Sequence, residues 1–566
     1  MLQEAEGSLL KEETADAPLR RRLLRNTFWN QLSQGFRMVF ALVLLPYIVN
    51  RVGPQEAGVY FLALSFTGYF GVLDASISPA LVKIVAEYRA KRDSPRIGAA
   101  FRATFRTYAA TGILAFAALW AASVWGLSFL GVPPHLLEPA RQTLRIASLA
   151  SLFSWPLYTY DHLLRGYQRY DLVSAVSLGV SALSFAAQIG AASMHLGAAG
   201  LMFATSVCLV GGGVVSRALA RARAPEIKAP GGSTLEEWRG IARFSAILFV
   251  ISLTDVVVYQ LDRLVAATST ALGVAAVTIY EYAARLHKVP RDIHAMVVAA
   301  ITPAASELEA KGDHERLVRL VLEASRLTVA VTLPIATAIL ALTPAIAASW
   351  APPEASVPIA VFVSYWVLNC NTGVLTNVLI GIGKLRLILL YAYSVAGANL
   401  ALSIVLARRF GVAGVVGGTT IAYVIGFPFF MSLSLKTLGA SRRAYAARVF
   451  WPAYPMALLL AGLVGSAGFS VVRFAGFPGV VAVGAIGVAA YYGAFGFVGM
   501  SRKERRELLE ALPIAAWFLP HAKGVDIENV EEFEHNTQRT SSPKESGTSR
   551  SPVSPKDGKL RESGHN

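Results

Sequence analysis

Apolar stretches long enough to cross a membrane recur along nearly the whole chain. The hydrocarbon core of a bilayer is ~30 Å thick, so a crossing helix needs about 20 apolar residues. Of the 566 residues, 54% are hydrophobic and only 16% are charged. Because the bilayer holds no water to satisfy exposed backbone groups, such stretches must form helices. The sequence therefore predicts an all-α polytopic membrane protein.

The apolar stretches divide into about fourteen predicted spans, each close to the ~20 residues that a crossing needs. Their limits are 26–50, 57–82, 103–129, 144–163, 171–194, 198–220, 240–262, 270–303, 325–348, 357–381, 387–407, 412–435, 449–472 and 476–499. The two cysteines, Cys208 and Cys370, fall in different spans. They predict neither a disulfide framework nor a metal site, so we expect no metal and no bound cofactor.

Positive charge is unevenly distributed among the loops that join these spans. The net charge is +16, and basic residues concentrate in alternate loops, such as the loop from Lys83 to Arg106. Cytoplasmic loops of membrane proteins carry such an excess of Lys and Arg. The pattern predicts a multi-pass protein of the cytoplasmic membrane with both termini in the cytoplasm. The basic residues set its orientation among the membrane lipids, and we expect no nucleic-acid partner.

The second half of the chain repeats the first in the same orientation. Each copy would contain six spans, which is one of the recognised plans of secondary transporters, with the site between the halves. A weaker match relates "SPALVKIVAEYRAKRD" to "TPAASELEAKGD". The strongest match pairs Gly166, Gly197 and Gly200 with Gly381, Gly411 and Gly414.

The repeat, the loop charges and the composition together predict the domain organisation. Two six-helix lobes form the body, and two further spans lie outside the repeat. The polar ends contain few residues able to form a core. The predicted segments are a disordered cytoplasmic arm (1–22), an N-terminal lobe (23–222), a cytoplasmic linker (223–238), a C-terminal lobe (239–437), two additional spans (438–499), an interfacial helix (500–522) and a disordered cytoplasmic tail (523–566).

Charged residues interrupt the apolar pattern in "IYEYAARLHKVPRDIHAM", at 279–296. One interpretation is a loop, or a re-entrant hairpin, between two short helices. We favour one long helix bent near Pro290, because two separate spans would place every later basic loop outside the cell. Pro79 predicts a second bend, in span 2. On the long helix, one stripe would contain Glu281, Arg285, Lys288 and Asp292.

Such a stripe has two possible roles. Opposite charges four residues apart can form a structural ladder of salt bridges that only holds the helix. The stripe can also line an aqueous binding site. Polar residues in other spans favour the site, since a charge at the centre of a membrane helix costs about 2.5–3.5 kcal/mol. These residues are Asn30, Gln34 and Arg37 in span 1, Asp74 in span 2, Asp255 and Tyr259 in span 7, and Asn369 in span 10.

The first spans resemble those of a known family. The stretches "VGPQEAGVYFLALSFTGYFGVLDASISPAL" and "VAEYRAKRD" are similar to the opening of the polysaccharide-biosynthesis flippases. These are the Wzx-type translocases of O-antigen and exopolysaccharide. They belong to the MOP superfamily, together with the lipid II flippase and the MATE drug exporters. The resemblance covers roughly residues 22–500 and rests on whole spans.

The resemblance implies two six-helix lobes around a central cavity that opens alternately to each side of the membrane. It implies a bacterial protein that translocates an oligosaccharide linked to undecaprenyl pyrophosphate, in contact with polysaccharide-assembly machinery. By the resemblance, the cations that engage the pyrophosphate are Arg37, Arg285, Lys288 and Arg291. Acids at membrane depth could also couple transport to an H⁺ or Na⁺ gradient. The candidates are Asp74, Asp255, Glu281 and Asp292.

Two other functions stay open at this point. A MATE-like exporter of small cations would favour an acidic or aromatic pocket, whereas four basic residues mark this site. A membrane glycosyltransferase or polysaccharide polymerase commonly carries a long external loop with paired carboxylates, but the predicted external loops are short. The sequence also lacks a P-loop, an HExxH motif and a Rossmann fingerprint. We therefore expect a transporter and not an enzyme.

The topology can be tested by thiol labelling. In a variant without Cys208 and Cys370, single cysteines placed between Lys83 and Arg106 should be shielded from an impermeant thiol reagent in intact cells. They should react after the membrane is permeabilised, because this basic loop is cytoplasmic. Labelling of the same positions in intact cells would contradict the topology.

Overall fold

The computed structural model describes residues 33–228 and 235–500. Over these ranges every regular element is a helix, which confirms the all-α prediction. Within them, eight helices are long and apolar enough to cross a membrane, or up to ten if each of two bent pairs is one span. Where the predicted spans lie within these ranges, they fall largely on helices. The figure of about fourteen crossings stays a prediction.

The N-terminal half of the described chain consists of helices joined by short loops. Its core includes Leu81, Phe101 and Leu163, which pack α3, α4 and α5 together. The helices are α1 (Ser33–Val52), α2 (Pro54–Tyr69), α3 (Gly71–Ala90), α4 (Ser94–Ala121), α5 (Leu137–Gly166), α6 (Tyr170–Ser193) and α7 (Gly197–Arg223).

The C-terminal half begins with α8 and ends with α15, and two further helices follow. The helices are α8 (Leu235–Tyr259), α9 (Leu261–Ser269), α10 (Ala275–Val298), α11 (Ile301–Ala310), α12 (His314–Ser349), α13 (Ser356–Asn369), α14 (Thr372–Gly381), α15 (Leu385–Thr437), α16 (Arg442–Tyr445) and α17 (Trp451–Val498). Helices α15 and α17 each consist of two helices, which meet at Gly411 and Gly476. The predicted arm at 1–22 and tail at 523–566 lie outside the described residues, as does the interfacial helix apart from Met500.

The internal repeat is visible in the backbone of two matching loops. Asp93 accepts a hydrogen bond from the N–H three residues later, at 3.2 Å, and so begins α4. Asp313 makes the same cap at 3.0 Å and begins α12. The residue before each aspartate has a positive φ, 55° at Arg92 and 66° at Gly312. The short sequence match therefore corresponds to the same turn in both halves.

The charged stretch at 279–296 lies on one continuous helix, α10. The loop and hairpin interpretations are therefore wrong. Helix α10 continues through Pro290 and ends at Val298, before α11 begins at Ile301, and the bend near Pro290 stays a prediction. A proline inside a membrane helix is tolerated when neighbouring groups satisfy the freed carbonyl.

Span 2 is bent, but the bend lies away from its proline. Helices α2 and α3 meet at an angle of 40° around Phe70, whereas Pro79 lies within α3. At the bend, the hydroxyl of Tyr69 donates to the carbonyl of Gln260 at 3.3 Å. Gln260 is itself the break between α8 and α9. The two helix breaks of opposite halves therefore contact each other.

The two halves also meet where α2 begins. The hydroxyl of Thr278 on α10 donates to the carbonyl of Pro54 at 2.6 Å. A Cβ atom on Gly58 would lie 2.0 Å from the carbonyl oxygen of Val274. Only glycine allows so close an approach, so α2 and α10 pack backbone to backbone at this end.

Candidate functional site

A cavity of about 360 Å³ lies between α1 of the N-terminal half and α9 and α10 of the C-terminal half. The repeat predicts a site between the halves, and both halves contribute to this wall. Six of the predicted site residues line the cavity: Gln34, Arg37, Glu281, Arg285, Lys288 and Asp292. We refer to it as the cationic cavity.

The cationic cavity carries an excess of positive charge. Among the residues that the structure describes, four of its lining side chains are cations and two are anions, a net charge of two positive charges. The fourth cation is Arg263, which the sequence analysis missed. Span 7 was predicted to end at 262, whereas the chain breaks at Gln260 and continues as α9. The sequence feature that could have indicated Arg263 is an arginine between two apolar runs, in "VVVYQLDRLVAA".

Helix α10 places the predicted stripe on the cavity wall. Its charged residues follow one another at steps of four, three and four, which keeps them on one face. On the opposite face, the His287 ring stacks on Phe362 with centroids 3.8 Å apart. His287 Nδ1 also donates to the carbonyl of Phe362 at 2.9 Å. Contacts on this buried face therefore fix the rotation of α10, and with it the direction of the stripe.

Glu281 is the central anion of the site. Its side chain is 5% exposed, and Arg263 Nε donates to its Oε1 at 2.5 Å. Arg285 Nε lies 3.4 Å from its other oxygen. One carboxylate therefore neutralises cations from two helices, with the shorter bond to Arg263. Charge-assisted hydrogen bonds of this kind hold guanidinium groups in a defined orientation.

Asp292 is the second anion, at the other end of the stripe. Lys288 Nζ lies 2.8 Å from its Oδ2, and the lysine side chain is 54% exposed. Gln34 on α1 donates to the same oxygen at 3.2 Å. Both salt bridges of the proposed ladder are present, and both line the cavity. A structural role and a binding role are therefore compatible in this stripe.

Arg37 reaches the cavity from the N-terminal half. Its guanidinium donates to Ser177 on α6 at 2.8 Å and to Ser33 at 3.2 Å. It also donates to the carboxamide oxygen of Gln34. These partners are neutral, so they orient the arginine without cancelling its charge.

Arg285 lies on the other half and faces the same space. Its Nη1 donates to the carbonyl of Ala41 on α1 at 3.5 Å. Its guanidinium lies over the ring of Phe61 on α2, 5.8 Å from the centroid, at a distance typical of cation–π contacts. Arg285 therefore contacts both halves of the molecule.

Some of the other predicted site residues do not line this cavity. Arg291 and Asn369 are not among its lining residues. Asn369 instead accepts a hydrogen bond from Thr372 at 2.8 Å, at the break between α13 and α14. The structure does not describe the remaining three. Asn30 lies outside the described residues, and the side chains of Asp255 and Tyr259 are not described.

Asp74 lies in a separate polar cluster inside the N-terminal half. Its Oδ1 accepts from the hydroxyl of Tyr108 and from Nε2 of His162, each at 2.8 Å. The other nitrogen of His162 bonds to Ser78 at 2.8 Å. Asp74 also lines a cavity of about 290 Å³ among helices of this half. It is therefore not part of the cationic cavity.

Comparison with known proteins identifies the family. The sequence profile described as "Polysaccharide biosynthesis protein" matches residues 23–309, slightly more than half of the chain. The chain belongs to this family. The matched range contains every residue that lines the cationic cavity. The site therefore lies within the part of the chain that defines a polysaccharide biosynthesis protein.

One relative is a protein of Shigella flexneri named as an O-antigen transporter. It is 25% identical over 67 residues, which cover 12% of this chain and 16% of the relative. The chain thus matches only about a sixth of that relative's length. This likeness supports the family and is too short to carry over the activity of the whole relative.

Solved structures of MOP-superfamily transporters share the fold. The lipid II flippase MurJ, in an inward closed conformation, matches with a TM-score of 0.63 and 14% identity, over 82% of this chain and 98% of that one. An inward-facing MATE multidrug transporter matches with a TM-score of 0.57 and 15% identity, over 71% of this chain and 95% of that one. A MOP-superfamily transporter of Pyrococcus furiosus, described as having a binding pocket of reverse polarity, matches with a TM-score of 0.52 and 16% identity. The match covers 74% of this chain and 96% of that one. These proteins share architecture with this one.

The two anions of the site should differ in their effect on stability. Glu281→Gln should lower the free energy of unfolding by about 3 kcal/mol, because it leaves two largely buried arginines without a counter-ion. Asp292→Asn should lower it by less than about 1 kcal/mol, because Lys288 is largely solvated. Melting temperatures in detergent measure both. Equal losses would mean that the two ion pairs are equivalent parts of one ladder.

Proposed function

We propose that the protein flips an oligosaccharide linked to undecaprenyl pyrophosphate across the bacterial cytoplasmic membrane, for the synthesis of cell-surface polysaccharide. One observation carries the proposal: Arg37 and Arg285, from opposite halves, face one cavity whose described lining has a net charge of two positive charges. Membership of the polysaccharide biosynthesis family supports it. The MOP-type fold supports alternating access as the mechanism.

The physical problem of this cargo matches the site. A pyrophosphate and its sugars cannot enter hydrocarbon, since their charges and hydroxyls would lose hydration. A cationic, water-accessible wall lowers that barrier, while an apolar polyprenyl tail can stay in the lipid. The planar guanidinium binds phosphate oxygens in pairs, which favours arginine at such a site.

The geometry assigns different roles to the cations. Arg263 is held by Glu281 at 2.5 Å and is the structural partner. Arg285 lies 3.4 Å from the same carboxylate, so it can turn toward a phosphate while Glu281 stays neutralised. The hydrogen bonds of Arg37 described above go to neutral partners. Arg37 and Arg285 are therefore the proposed pyrophosphate ligands, with Lys288 as a more solvated third.

A cation exporter of the MATE type fits the site less well. Cationic cargo would be repelled by the charge excess of the cavity, at a cost that grows as water is excluded.

The cytoplasmic orientation of both termini and contact with assembly machinery remain parts of the proposal. The first rests on the basic loops, such as the loop from Lys83 to Arg106.

Removal of charge from the cavity tests the proposal. Arg285→Ala should reduce flipping of a fluorescent pyrophosphate-linked oligosaccharide in liposomes by about tenfold or more, because charge-assisted hydrogen bonds are worth roughly 1.5–3 kcal/mol. Arg285→Lys should recover part of the rate, since it keeps the charge and loses the paired donors. Surface polysaccharide in cells provides the second readout.

The control is Lys311→Ala, which removes a lysine that is 62% exposed and is not among the residues lining the cavity. It should flip the probe at the normal rate. Melting temperatures separate loss of function from loss of fold. Normal flipping by a protein with both Arg285→Ala and Lys288→Ala would reject the cargo role of this cavity.

Coupling to an ion gradient is proposed through an acid outside the cationic cavity. Glu281 and Asp292 each have a cation within 3.4 Å, so they serve as counter-ions. Asp74 is bound to a histidine and a tyrosine, and it is the candidate for H⁺ or Na⁺. Asp74→Asn should abolish the acceleration of flipping by an imposed gradient while leaving cargo binding intact. Wild-type flipping that ignores both gradients would contradict this role.

A further inference from the structure

A second cavity of about 230 Å³ continues from the cationic cavity between α1, α2 and α6. The two cavities share Arg37, Ala41 and Arg285 in their walls. Among the described residues that line the second cavity, only Arg37 and Arg285 carry charge, and both lie at the junction. A ligand with an anionic part at the junction would therefore extend a neutral part into this space.

One wall of the second cavity is a polar stripe on α6. Ser177, Ser181, Ser184 and Gln188 follow at steps of four, three and four, so they lie on one helix face. The first contacts Arg37, and the other three line the cavity. The hydroxyl of Tyr60 donates to the carboxamide oxygen of Gln188 at 2.9 Å. This bond orients the carboxamide and leaves its NH₂ group as a donor for a ligand.

The opposite wall is aromatic and aliphatic. The rings of Phe40 on α1 and Phe185 on α6 stack with centroids 4.7 Å apart. Leu44 and Ile48 continue the apolar wall along α1. The cavity therefore presents hydroxyl and amide groups on one side and ring or aliphatic surface on the other.

We propose that the second cavity binds the sugar that is attached directly to the pyrophosphate. A pyranose has the matching character, since hydroxyls surround its rim and C–H groups form its apolar faces. The volume corresponds to about eight waters at ~30 Å³ each, which is the scale of one sugar ring. The inference rests on the proposed function, because it takes the pyrophosphate to lie between Arg37 and Arg285.

The polyprenyl tail fits this cavity less well than a sugar. An apolar tail would leave the groups of Ser184 and Gln188 without hydrogen-bond partners, and burial of such groups costs free energy. The same polar groups satisfy sugar hydroxyls. A charged sugar would find no lining charge beyond the junction arginines, so the subsite takes a neutral one.

Binding to two probes tests the inference. Full-length protein in nanodiscs is titrated with undecaprenyl pyrophosphate and with the same lipid carrying one neutral hexose. Wild-type protein should bind the glycosylated probe about tenfold more tightly, the effect of two or so hydrogen bonds. Phe185→Leu combined with Ser184→Val should reduce this preference to about twofold and leave affinity for the bare lipid unchanged.

The matched control is Ala182→Val, which introduces the same valine on the exposed face of the same helix and should keep the full preference. Binding of the bare lipid reports that each variant is folded, and Ser184→Val alone replaces the double variant if that protein does not fold. Equal wild-type affinity for the two probes would overturn the sugar subsite and leave the proposed function standing. Wild-type protein that binds neither probe would overturn both.

Discussion

The ion pairs of Glu281 are the interaction on which the rest of the site depends. A single charge at the centre of a membrane helix costs about 2.5–3.5 kcal/mol, and the cationic cavity concentrates four cations. Glu281 offsets two of them, from α9 and α10, through one carboxylate. Without this anion, Arg263 and Arg285, whose side chains are 19% and 25% exposed, would repel each other. The carboxylate thus allows two arginines to lie close together in one cavity.

The position of the cavity follows from the repeat. Matching turns at Asp93 and Asp313 indicate that the two halves have the same local plan. Two similar halves bury one continuous wall between them, and relative movement of such halves can open that wall to either side of a membrane. The close contact of Gly58 with Val274 joins the halves at one end of α2. A movement that exposes the cavity at that end must separate this contact.

The stripe on α10 was predicted correctly because helical periodicity was enough to place its residues on one face. The stripe from Glu281 to Asp292 needed only the assumption of one helix, and α10 confirms it. Arg263 was missed because the predicted span ended at 262, and the break at Gln260, which contacts Tyr69 of the other half, is not visible in a local pattern. The bend at Phe70 was missed for the same reason, since it lies nine residues before Pro79 and beside the contact between Tyr69 and Gln260.

The polar stripe on α6 was overlooked because serines in apolar helices are ambiguous. Ser181 donates to the carbonyl of Ser177 at 2.7 Å, the local bond that lets a serine sit in a membrane helix without a function. Only the spacing of the stripe, together with Gln188 at its end, separates it from such neutral serines. The hydrogen bond from Arg37 to Ser177 then connects the stripe with the cationic cavity.

The most direct test of the central claim is an electron-microscopy structure of the protein saturated with an undecaprenyl-pyrophosphate-linked oligosaccharide. The account predicts density for the pyrophosphate between the guanidinium groups of Arg37 and Arg285, with Glu281 still bound to Arg263. Density for the pyrophosphate only on the outer, lipid-facing surface of the helices, with an unchanged cavity, would contradict it.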